Sequence, residues 1–230
     1  MASSGIGTVS TDWRSNFLAG LNPQNRKRIL AAAKQRRFAA HSVITNQGHP
    51  ADQLFLLIKG RARYFFDEHG GQRVILLWVA PGELIGGRSL LAKPVSYLVG
   101  SETVRDSTVF VWDRDAIRDL ASQYPVLLEN ALSTASDYLA WYVAAHVALA
   151  CHSAEQRLAG VLNSLAGTIG RKVPGGIELD LTNEEVANTA NITPFTASRL
   201  LSAWRRQHFL KKSRGKLLLR HPVRSFQHEL

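Results

Sequence analysis

Residues 181–219 read LTNEEVANTANITPFTASRLLSAWRRQHFLKKSRGKLLL. Thr182 and the glutamate three positions after it form a capping-box pattern, which predicts that a short helix begins there. Asn191 can adopt the left-handed backbone conformation that ends such a helix. Thr193 is suited to cap a second helix, and Pro194 fits its first turn, where a missing N–H costs nothing. The stretch therefore predicts two helices joined by a tight turn.

The second of these helices is expected to have a buried face and an outward face. Leu200, Leu201 and Trp204 can face a core, which leaves the intervening polar positions for the major groove of DNA. Arg199 has the geometry to donate two hydrogen bonds to a guanine edge, and residues 211–219 are expected to form a small β-wing. The candidate DNA-contacting residues are Thr182, Thr193, Pro194, Phe195, Thr196, Ser198, Arg199, Arg214 and Lys216. Among them Thr196, Ser198, Arg214 and Lys216 suit phosphates.

Positive charge is concentrated in the same part of the chain. The protein has 28 Lys and Arg against 18 Asp and Glu, a formal net charge of +10. Residues 194–224 hold nine of the basic residues and none of the acidic ones, so the rest of the chain is almost neutral. A local excess of this kind indicates a polyanion-binding module rather than a generally basic protein.

Composition indicates an ordinary globular protein. With 230 residues, of which 45% are hydrophobic, the chain can bury a core and form one domain plus a smaller one. The single cysteine, Cys151, excludes an internal disulfide and a cysteine-built zinc or iron–sulfur site within one chain. Cys151 is interpreted either as a small buried hydrophobe or as an oxidation-sensitive thiol. Residues 1–10 lack the pattern of a signal peptide, and we expect a cytoplasmic protein without a membrane partner.

The N-terminal half is expected to be mostly β-structure after an initial helical region at residues 12–38. Short β-rich runs follow at residues 54–58, 62–66, 74–79 and 108–112, with turn signals that include Lys59-Gly60 and Pro81-Gly82. Such short strands favour an antiparallel barrel or jelly roll, which hides strand edges.

Residues 125–152 are predicted to form one long helix. Apolar and aromatic residues recur along it at alternating steps of four and three, the repeat of a coiled-coil seam. The seam consists of Leu128, Leu132, Ala135, Leu139, Tyr142, His146 and Leu149. It predicts a homodimer, and the alternative is a helix packed on its own β-domain. His146 would either form a pH-sensitive pair with its copy across the dimer or be a partly solvated residue.

Ser153 begins another capping box, which predicts that a new amphipathic helix starts there.

In this order the segments resemble the Crp/Fnr family, the bacterial transcription regulators typified by the catabolite activator protein and the fumarate-nitrate regulator. The resemblance covers roughly residues 15–220. It rests on Gly48 with ADQLFLLIKG (51–60), on PGELIG (81–86), on residues 153–165 and on the helix-turn-helix. It implies an α+β fold with a cyclic-nucleotide-binding-like β jelly roll (12–124), a dimerisation helix (125–152) and a C-terminal winged helix-turn-helix (153–224). It further implies a homodimer on near-palindromic double-stranded DNA operators, with RNA polymerase as a further partner.

The chain departs from the family pattern at the effector site. Members that bind cyclic AMP use a Glu for the ribose and an Arg-Ser pair for the phosphate, and the ungapped positions here hold Gly87, Tyr97 and Leu98. A phosphate without its positive charge and hydroxyl would be poorly paired, so we do not expect cyclic AMP to bind. Arg88 offers either a replacement anion contact or an ordinary ion-paired surface arginine. The candidate effector pocket comprises Ile85, Gly86, Gly87, Arg88, Ser89, Tyr97, Leu98 and Glu102.

Other cofactors of the family fit the sequence no better. The oxygen-sensing members need several N-terminal cysteines for an iron–sulfur cluster, and none precedes Cys151. Haem-binding relatives use a histidine of the β-domain, whereas His41, His49 and His69 fall in predicted loops, so haem is not expected. The effector is left unknown.

The chain also departs from the family pattern in the second helix of the helix-turn-helix. There Phe195 replaces the Glu with which many members read cytosine, and it would either pack on a thymine methyl or cover the turn.

Two other classes of function remain as alternatives. A metal-dependent cupin-like enzyme would need clustered histidines and a carboxylate, and the histidine spacing here does not supply them. A cyclic-nucleotide-type regulatory subunit acting on a protein partner would explain the β-domain but not the basic C-terminal module. We therefore interpret the chain as a transcription factor, with no catalytic and no metal site.

Overall fold

The structure is a computed structural model, and it describes residues 15–71, 73–213 and 215–220. Arg214, residues 12–14 of the predicted helical region and residues 221–224 of the predicted winged helix-turn-helix therefore lie outside the described residues.

The first elements differ from the helical region that the sequence predicts. A 3-10 helix (Asn16–Leu18) is followed by helix α1 (Pro23–Ala31), and then by strand β1 (Lys34–Phe38). Strand β1 pairs antiparallel with a later strand, with Lys34 opposite Val111. The prediction of helix up to residue 38 is wrong, because pairing with a neighbouring strand outweighs a weak local helical pattern.

Six strands form the N-terminal sheet. They are β1, β2 (Val43–Thr45), β3 (Gln53–Asp67), β4 (Arg73–Val79), β5 (Leu84–Ile85) and β6 (Gly100–Asp113). The strand order is β1-β6-β3-β4, with β2 paired to β6 and β5 paired to β3. A second 3-10 helix (Gly87–Leu90) lies between β5 and β6.

The turn predicted at Lys59-Gly60 is wrong, because strand β3 continues through it for 15 residues. Gly60 has φ +100°, and a Cβ there would lie 2.6 Å from the Asp106 carbonyl oxygen. Glycine is therefore required by a close approach to β6 and not by a chain reversal.

The C-terminal half is mainly helical with a second, smaller sheet. Its elements are α2 (Arg114–Gln123), α3 (Val126–Cys151), α4 (Ala154–Thr168), β7 (Arg171–Val173), β8 (Gly176–Leu179), α5 (Asn183–Thr189), α6 (Pro194–Arg206), β9 (Leu210–Ser213) and β10 (Lys216–Leu219). The sheet has the order β7-β8-β10-β9. Helix α3 begins and ends within one residue of the predicted bounds, whereas the hairpin β7–β8 was not predicted. Cys151, the last residue of α3, is exposed, so its interpretation as a buried hydrophobe is wrong.

The chain divides into two compact units. The first comprises the described residues up to 62 together with 79–97 and 103–134, and the second comprises 63–78, 98–102 and the described residues from 135 onward. In the first unit Trp112 is fully buried and donates from Nε1 to the Ile29 carbonyl at 2.9 Å, and Phe17 packs edge-on against its ring. In the second unit Leu158 and Leu162 of α4 are fully buried.

Candidate nucleic-acid interface

Helices α5 and α6 form a helix-turn-helix whose capping residues are those that the sequence predicts. Thr182 and Glu185 make a reciprocal capping box at the start of α5. Asn191 has φ +49°, and the following N–H, of Ile192, donates to the Ala187 carbonyl at 3.0 Å. Thr193 then accepts from the Thr196 N–H at 3.1 Å and caps α6. Local side chains thus satisfy the backbone groups that the tight turn exposes.

Helix α6 has a buried face and an exposed face. Its apolar residues on one side, Ala197, Leu200, Leu201 and Trp204, are buried. Trp204 donates from Nε1 to Glu155 Oε1 of α4 at 3.1 Å, which ties α6 to the preceding helix. On the other side Phe195 and Arg199 are exposed, while Thr196 and Ser198 are half-buried. Phe195 and Arg199 are four residues apart, so they are neighbours on the exposed face.

Five exposed cations on α6 and β9 have no partner in the described chain. Arg199, Arg205, Arg206, Lys211 and Lys212 are all exposed. None of the five forms an ion pair or side-chain hydrogen bond with another residue of the described chain. Helix α6 and strand β9 contain no Asp or Glu. Their exposed surface therefore carries a net positive charge, which suits the binding of phosphates.

Lys216 differs from these cations because it has a partner. Its Nζ lies 3.3 Å from Glu178 Oε1, and Arg171 Nη2 lies 2.6 Å from the same oxygen. The hydrogen bonds from Arg171 and Lys216 lower the pKa of the Glu178 carboxyl. The predicted wing is present as β9 and β10, with Lys216 opposite Ser213 and Gly215 at φ +69° in the turn, where glycine is favoured. Arg214 lies outside the described residues.

A further residue holds the turn of the helix-turn-helix, and the sequence analysis missed it. Arg157 of α4 donates to the carbonyls of Ala190 and Asn191, at 3.2 Å each, and to the carbonyl of His152 at 2.9 Å. One guanidinium thus joins the α5–α6 turn to the backbone just before α4. Nothing in the local pattern around Arg157 signals this contact, which depends on tertiary placement.

Helix α5 also contacts the hairpin of β3 and β4 within the second unit. Arg63 Nη1 lies 3.4 Å from Glu185 Oε1, and Trp78 Nε1 donates to Thr189 Oγ1 at 3.2 Å. Arg63 Nη2 also lies 2.6 Å from Glu102 Oε1, whose residue is only 6% exposed. The first helix of the motif is therefore held by polar contacts to a segment of β-structure.

The predicted seam residues of α3 are all exposed in the single chain. Leu132 and Leu139 are 71% and 64% exposed, and Leu128, Ala135, Tyr142, His146 and Leu149 are exposed as well. The parallel stripe that begins at the buried Leu127 and includes Tyr138 faces the chain itself, and Tyr138 packs edge-on against the Tyr64 ring. Helix α3 thus has one apolar stripe in contact with its own chain and another one open.

The candidate effector residues are distributed over the two units. Ile85, Gly86, Gly87, Arg88, Ser89 and Tyr97 belong to the first unit, whereas Leu98 and Glu102 belong to the second. Tyr97 donates from its hydroxyl to the Gln53 carbonyl at 2.8 Å and accepts from the Gln53 N–H at 3.1 Å. A Cβ on Gly86 would lie 2.9 Å from the Tyr97 ring, so the tyrosine packs directly over this glycine. Burial raises the pKa of the Tyr97 hydroxyl, so the group is neutral at physiological pH.

Three other candidates behave differently. Glu102 is occupied by ion pairs with Arg63 and Arg73, at 2.6 and 2.9 Å. Ser89 is fully buried and its Oγ has no hydrogen-bond partner. The Arg88 guanidinium has no partner within the described ranges, which does not agree with the alternative of an ion-paired surface arginine.

An open cavity of about 670 Å³ lies in the first unit and is lined by residues such as His49, Asp52 and Arg114. Of the candidate effector residues, only Tyr97 lines it.

Comparisons with known proteins agree with this architecture. Residues 35–124 match the family model of the cyclic nucleotide-binding domain, and residues 156–224 match that of the Crp-like helix-turn-helix domain. The CRP-like cAMP-activated global transcriptional regulator of Mycobacterium tuberculosis is 24% identical over 194 residues, which cover 82% of this chain and 85% of that protein. The chain belongs to the Crp/Fnr family.

Solved structures share this fold. The c-di-GMP responsive global regulator CLP of Xanthomonas campestris superposes with a TM-score of 0.75 at 19% identity, over 87% of this chain and 100% of that one. FixK2 of Bradyrhizobium japonicum gives 0.73 at 20% identity, over 84% of this chain and 94% of that one. The predicted α+β fold, with its cyclic-nucleotide-binding-like domain, long helix and C-terminal helix-turn-helix, is confirmed.

Membership of the Crp/Fnr family makes this chain a DNA-binding transcription regulator by class. No helix in the described part of the chain is long and apolar enough to cross a membrane. Within residues 15–71, 73–213 and 215–220, no three His, Cys, Asp or Glu side chains are grouped as a metal site would require.

Proposed function

We propose that this Crp/Fnr protein is a homodimeric, sequence-specific regulator that binds near-palindromic operators through α6. The observation that carries the proposal is the pairing of a fully packed inner face of α6 with an outer face lined by cations that have no partner in the described chain. Such a helix can enter a major groove without breaking internal contacts, and its neighbouring cations can replace the counterions of the phosphates.

The residues divide by the part of the DNA that they would contact. Arg199 has a free, exposed guanidinium and would read a guanine, while Lys211 and Lys212 of the wing would contact phosphates. Thr196, Ser198, Arg214 and Lys216 remain further phosphate candidates. Thr182 and Thr193 already use their hydroxyls as helix caps, so their part is to position the helices. Lys216 would contact phosphate less strongly than Lys211, because Glu178 already offsets its charge.

The open stripe of α3 supports the homodimer. Its two most exposed leucines, Leu132 and Leu139, would each gain about 1.5–3 kcal/mol from full burial against a second copy. A two-fold axis along this stripe would place two α6 helices in successive major grooves, about one turn of DNA apart.

The sensor domain is proposed to respond to something other than cyclic AMP. In the ungapped alignment Tyr97 takes the position of the phosphate-binding arginine of cyclic-AMP-binding members. Its hydroxyl is already paired with Gln53. Gly87 and Leu98 likewise lack the carboxylate and hydroxyl that such members use. The relatives are described with different effectors, cAMP for one and c-di-GMP for another, so neither is transferred. A regulator of this class would act in the cytoplasm with RNA polymerase as its protein partner.

The Arg199→Ala variant tests the reading helix. We expect it to lose about 1–3 kcal/mol of binding free energy for the selected operator, while weak binding to unrelated duplexes stays the same. Fluorescence anisotropy titrations with both duplexes, repeated at several salt concentrations, measure the two quantities separately.

The matched control is Arg206→Ala, which removes a similarly exposed cation from the last turn of α6. That variant should weaken operator and unrelated DNA alike and reduce the salt dependence. Operator binding by Arg199→Ala equal to that of the unmodified protein would show that α6 is not the reading helix. An alternative enzymatic or protein-binding role would be favoured if the unmodified protein showed no salt-sensitive binding to any duplex.

A further inference from the structure

Phe195 is the most exposed large apolar side chain of the described residues, with 79% of its surface accessible. It makes no aromatic or cation–π contact within the described chain. This high exposure rules out the role of covering the α5–α6 turn. Single exposed apolar residues are common on protein surfaces, so exposure alone has little meaning. The position of this phenylalanine is what makes it informative.

Phe195 lies in the first turn of α6, directly after Pro194 and four residues before Arg199. In helix-turn-helix proteins the N-terminal residues of the second helix contact the edges of the bases. Apart from Pro194, the other exposed side chains of α5 and α6 are polar or charged, so a large ring here does not belong to an extended apolar patch. The side chain would therefore enter the major groove together with Arg199.

The chemistry of the ring restricts what it can recognise there. A phenyl group neither donates nor accepts ordinary hydrogen bonds, so it cannot use the N7, O6, N6 or N4 groups of the base edges. The one apolar group in the major groove is the C5-methyl of thymine. Apolar wedges that separate base steps act from the minor groove, which α6 would not occupy.

We propose that Phe195 reads the C5-methyl group of one thymine in each half-site of the operator. This inference rests on the proposed function, since it requires α6 to be the reading helix. The ring shields the methyl group from water, and no hydrogen bond is formed or lost in doing so. Arg199, on the same face, orients the helix through its contact with a guanine. Phe195 therefore contributes a preference for thymine over every base that lacks the methyl, including uracil.

Uracil tests the proposal because it differs from thymine only by the methyl group. Operator duplexes obtained by selection would be prepared with each dT replaced singly by dU, and with symmetric pairs replaced in both half-sites. We expect one position per half-site at which the change weakens binding about fourfold, and about 16-fold when both half-sites are changed. Equilibrium anisotropy titrations measure these ratios.

Two variants assign the effect to this side chain. Phe195→Ala should bind the dT and dU operators equally at that position. Because the substitution is present in both subunits, its affinity should match that of the unmodified protein for the operator with dU in both half-sites. Because Phe195 is exposed, this change is not expected to impair folding. Arg199→Ala serves as the control: it should weaken binding to both operators while keeping the dT/dU ratio.

The outcomes separate this inference from the proposed function. If the unmodified protein binds every dU operator as tightly as the dT operator, or if Phe195→Ala keeps the full dT/dU ratio, Phe195 does not read a methyl. If Arg199→Ala loses specificity in the same titrations, the proposal that α6 is the reading helix is still supported. Absence of specific DNA binding by the unmodified protein would instead overturn the proposed function, and the methyl reading with it.

Discussion

At the scale of single residues, Arg157 contributes most to the geometry of the candidate interface without facing DNA. Its three hydrogen bonds join the α5–α6 turn to residue His152, where α3 gives way to α4. Hydrogen bonds from a charged donor to backbone carbonyls are among the stronger ones in proteins. The turn is therefore fixed both by local capping residues and by this long-range contact.

Replacing Arg157 with alanine should destabilise the second unit. We expect the free energy of unfolding to fall by about 1–3 kcal/mol, because carbonyls that the guanidinium satisfies lose their partner. Urea denaturation followed by circular dichroism measures the change. Arg205→Ala removes an exposed arginine without a described partner and should stay within about 0.5 kcal/mol. Equal losses in the two variants would contradict the role assigned to Arg157.

Asp67 gives a pH-dependent prediction at the same scale. Arg73 donates to both of its carboxylate oxygens, at 2.7 and 2.8 Å, and these hydrogen bonds lower the pKa of Asp67 below its ordinary value near 3.8. A carboxyl with a lowered pKa stabilises the folded protein above its unfolded-state pKa, and this contribution is lost as the pH falls through the folded-state value. The pair is about half exposed, so its contribution is at most about 1 kcal/mol.

The Asp67→Asn variant should therefore be less stable than the unmodified protein at pH 7 by up to about 1 kcal/mol, and the difference should shrink as the pH falls below the ordinary pKa near 3.8. Urea unfolding at a series of pH values measures it. Asp115→Asn, on a side chain that is 96% exposed, is the control and should change stability by less than about 0.5 kcal/mol. A difference that persisted unchanged to pH 3 would show that the ion pair is not its cause.

Residue patterns predicted the caps of the helix-turn-helix well. Thr182, Asn191 and Thr193 have the roles that the sequence assigns to them, since capping depends on residues only a few positions apart. Arg157 and Arg63 could not be found in this way. Arg157 contacts Ala190 and Asn191, which are 33 and 34 positions away in the chain, and Arg63 contacts Glu185, which is 122 positions away. Only the fold brings these residues together.

At the scale of elements, α3 is the helix whose two apolar stripes have different partners. On the stripe that includes Leu127 and Tyr138, Tyr138 packs against Tyr64 of strand β3, as the alternative interpretation of a helix packed on its own β-domain expects. The seam that includes Leu132 and Leu139 remains exposed, and a second copy of the chain would cover it. The dimer seam stays a prediction for this second face of the helix.

Leu139→Asp should abolish the homodimer. Each dimer would bury two of these carboxylates in place of two leucines, so we expect the dissociation constant to rise on the order of 100-fold or more. Sedimentation velocity over a range of concentrations measures it. Ala144→Asp places the same charge on the opposite, exposed side of α3 and should leave the dimer intact. A Leu139→Asp protein that sedimented like the unmodified one would exclude this seam as the interface.

Elements whose pattern depends on neighbours were predicted less well. Strand β1 has a sequence, KQRRF, with little local preference, and it becomes a strand through pairing with β6. Gly60 signals a turn locally, yet it is a glycine because β6 approaches closely at that point. The strands of the hairpin β7–β8 have only three and four residues, which is too short to show the alternation of apolar and polar residues that indicates a strand. Both ends of the long periodic helix α3 were predicted within one residue, and the start of the strongly capped helix α6 was predicted at Pro194.

At the scale of the whole molecule, charge distribution and order of domains were the features most accessible from the sequence. The excess of basic residues after Pro194 corresponds to exposed cations on α6 and β9. The same excess of basic residues includes Arg205, Arg206, Lys211 and Lys212, which the list of candidate DNA-contacting residues omitted. The effector region was less accessible, because a missing arginine excludes one ligand and does not specify another.

Selection of bound duplexes from a random pool tests the central claim most directly, since it examines DNA binding, two-fold symmetry and base reading in one experiment. We predict an enriched sequence with two inverted half-sites whose centres lie about 10 base pairs apart, each containing a guanine that is no longer selected when Arg199→Ala protein is used. Recovery of no common sequence, or of a single asymmetric site that Arg199→Ala protein selects equally well, would contradict the account.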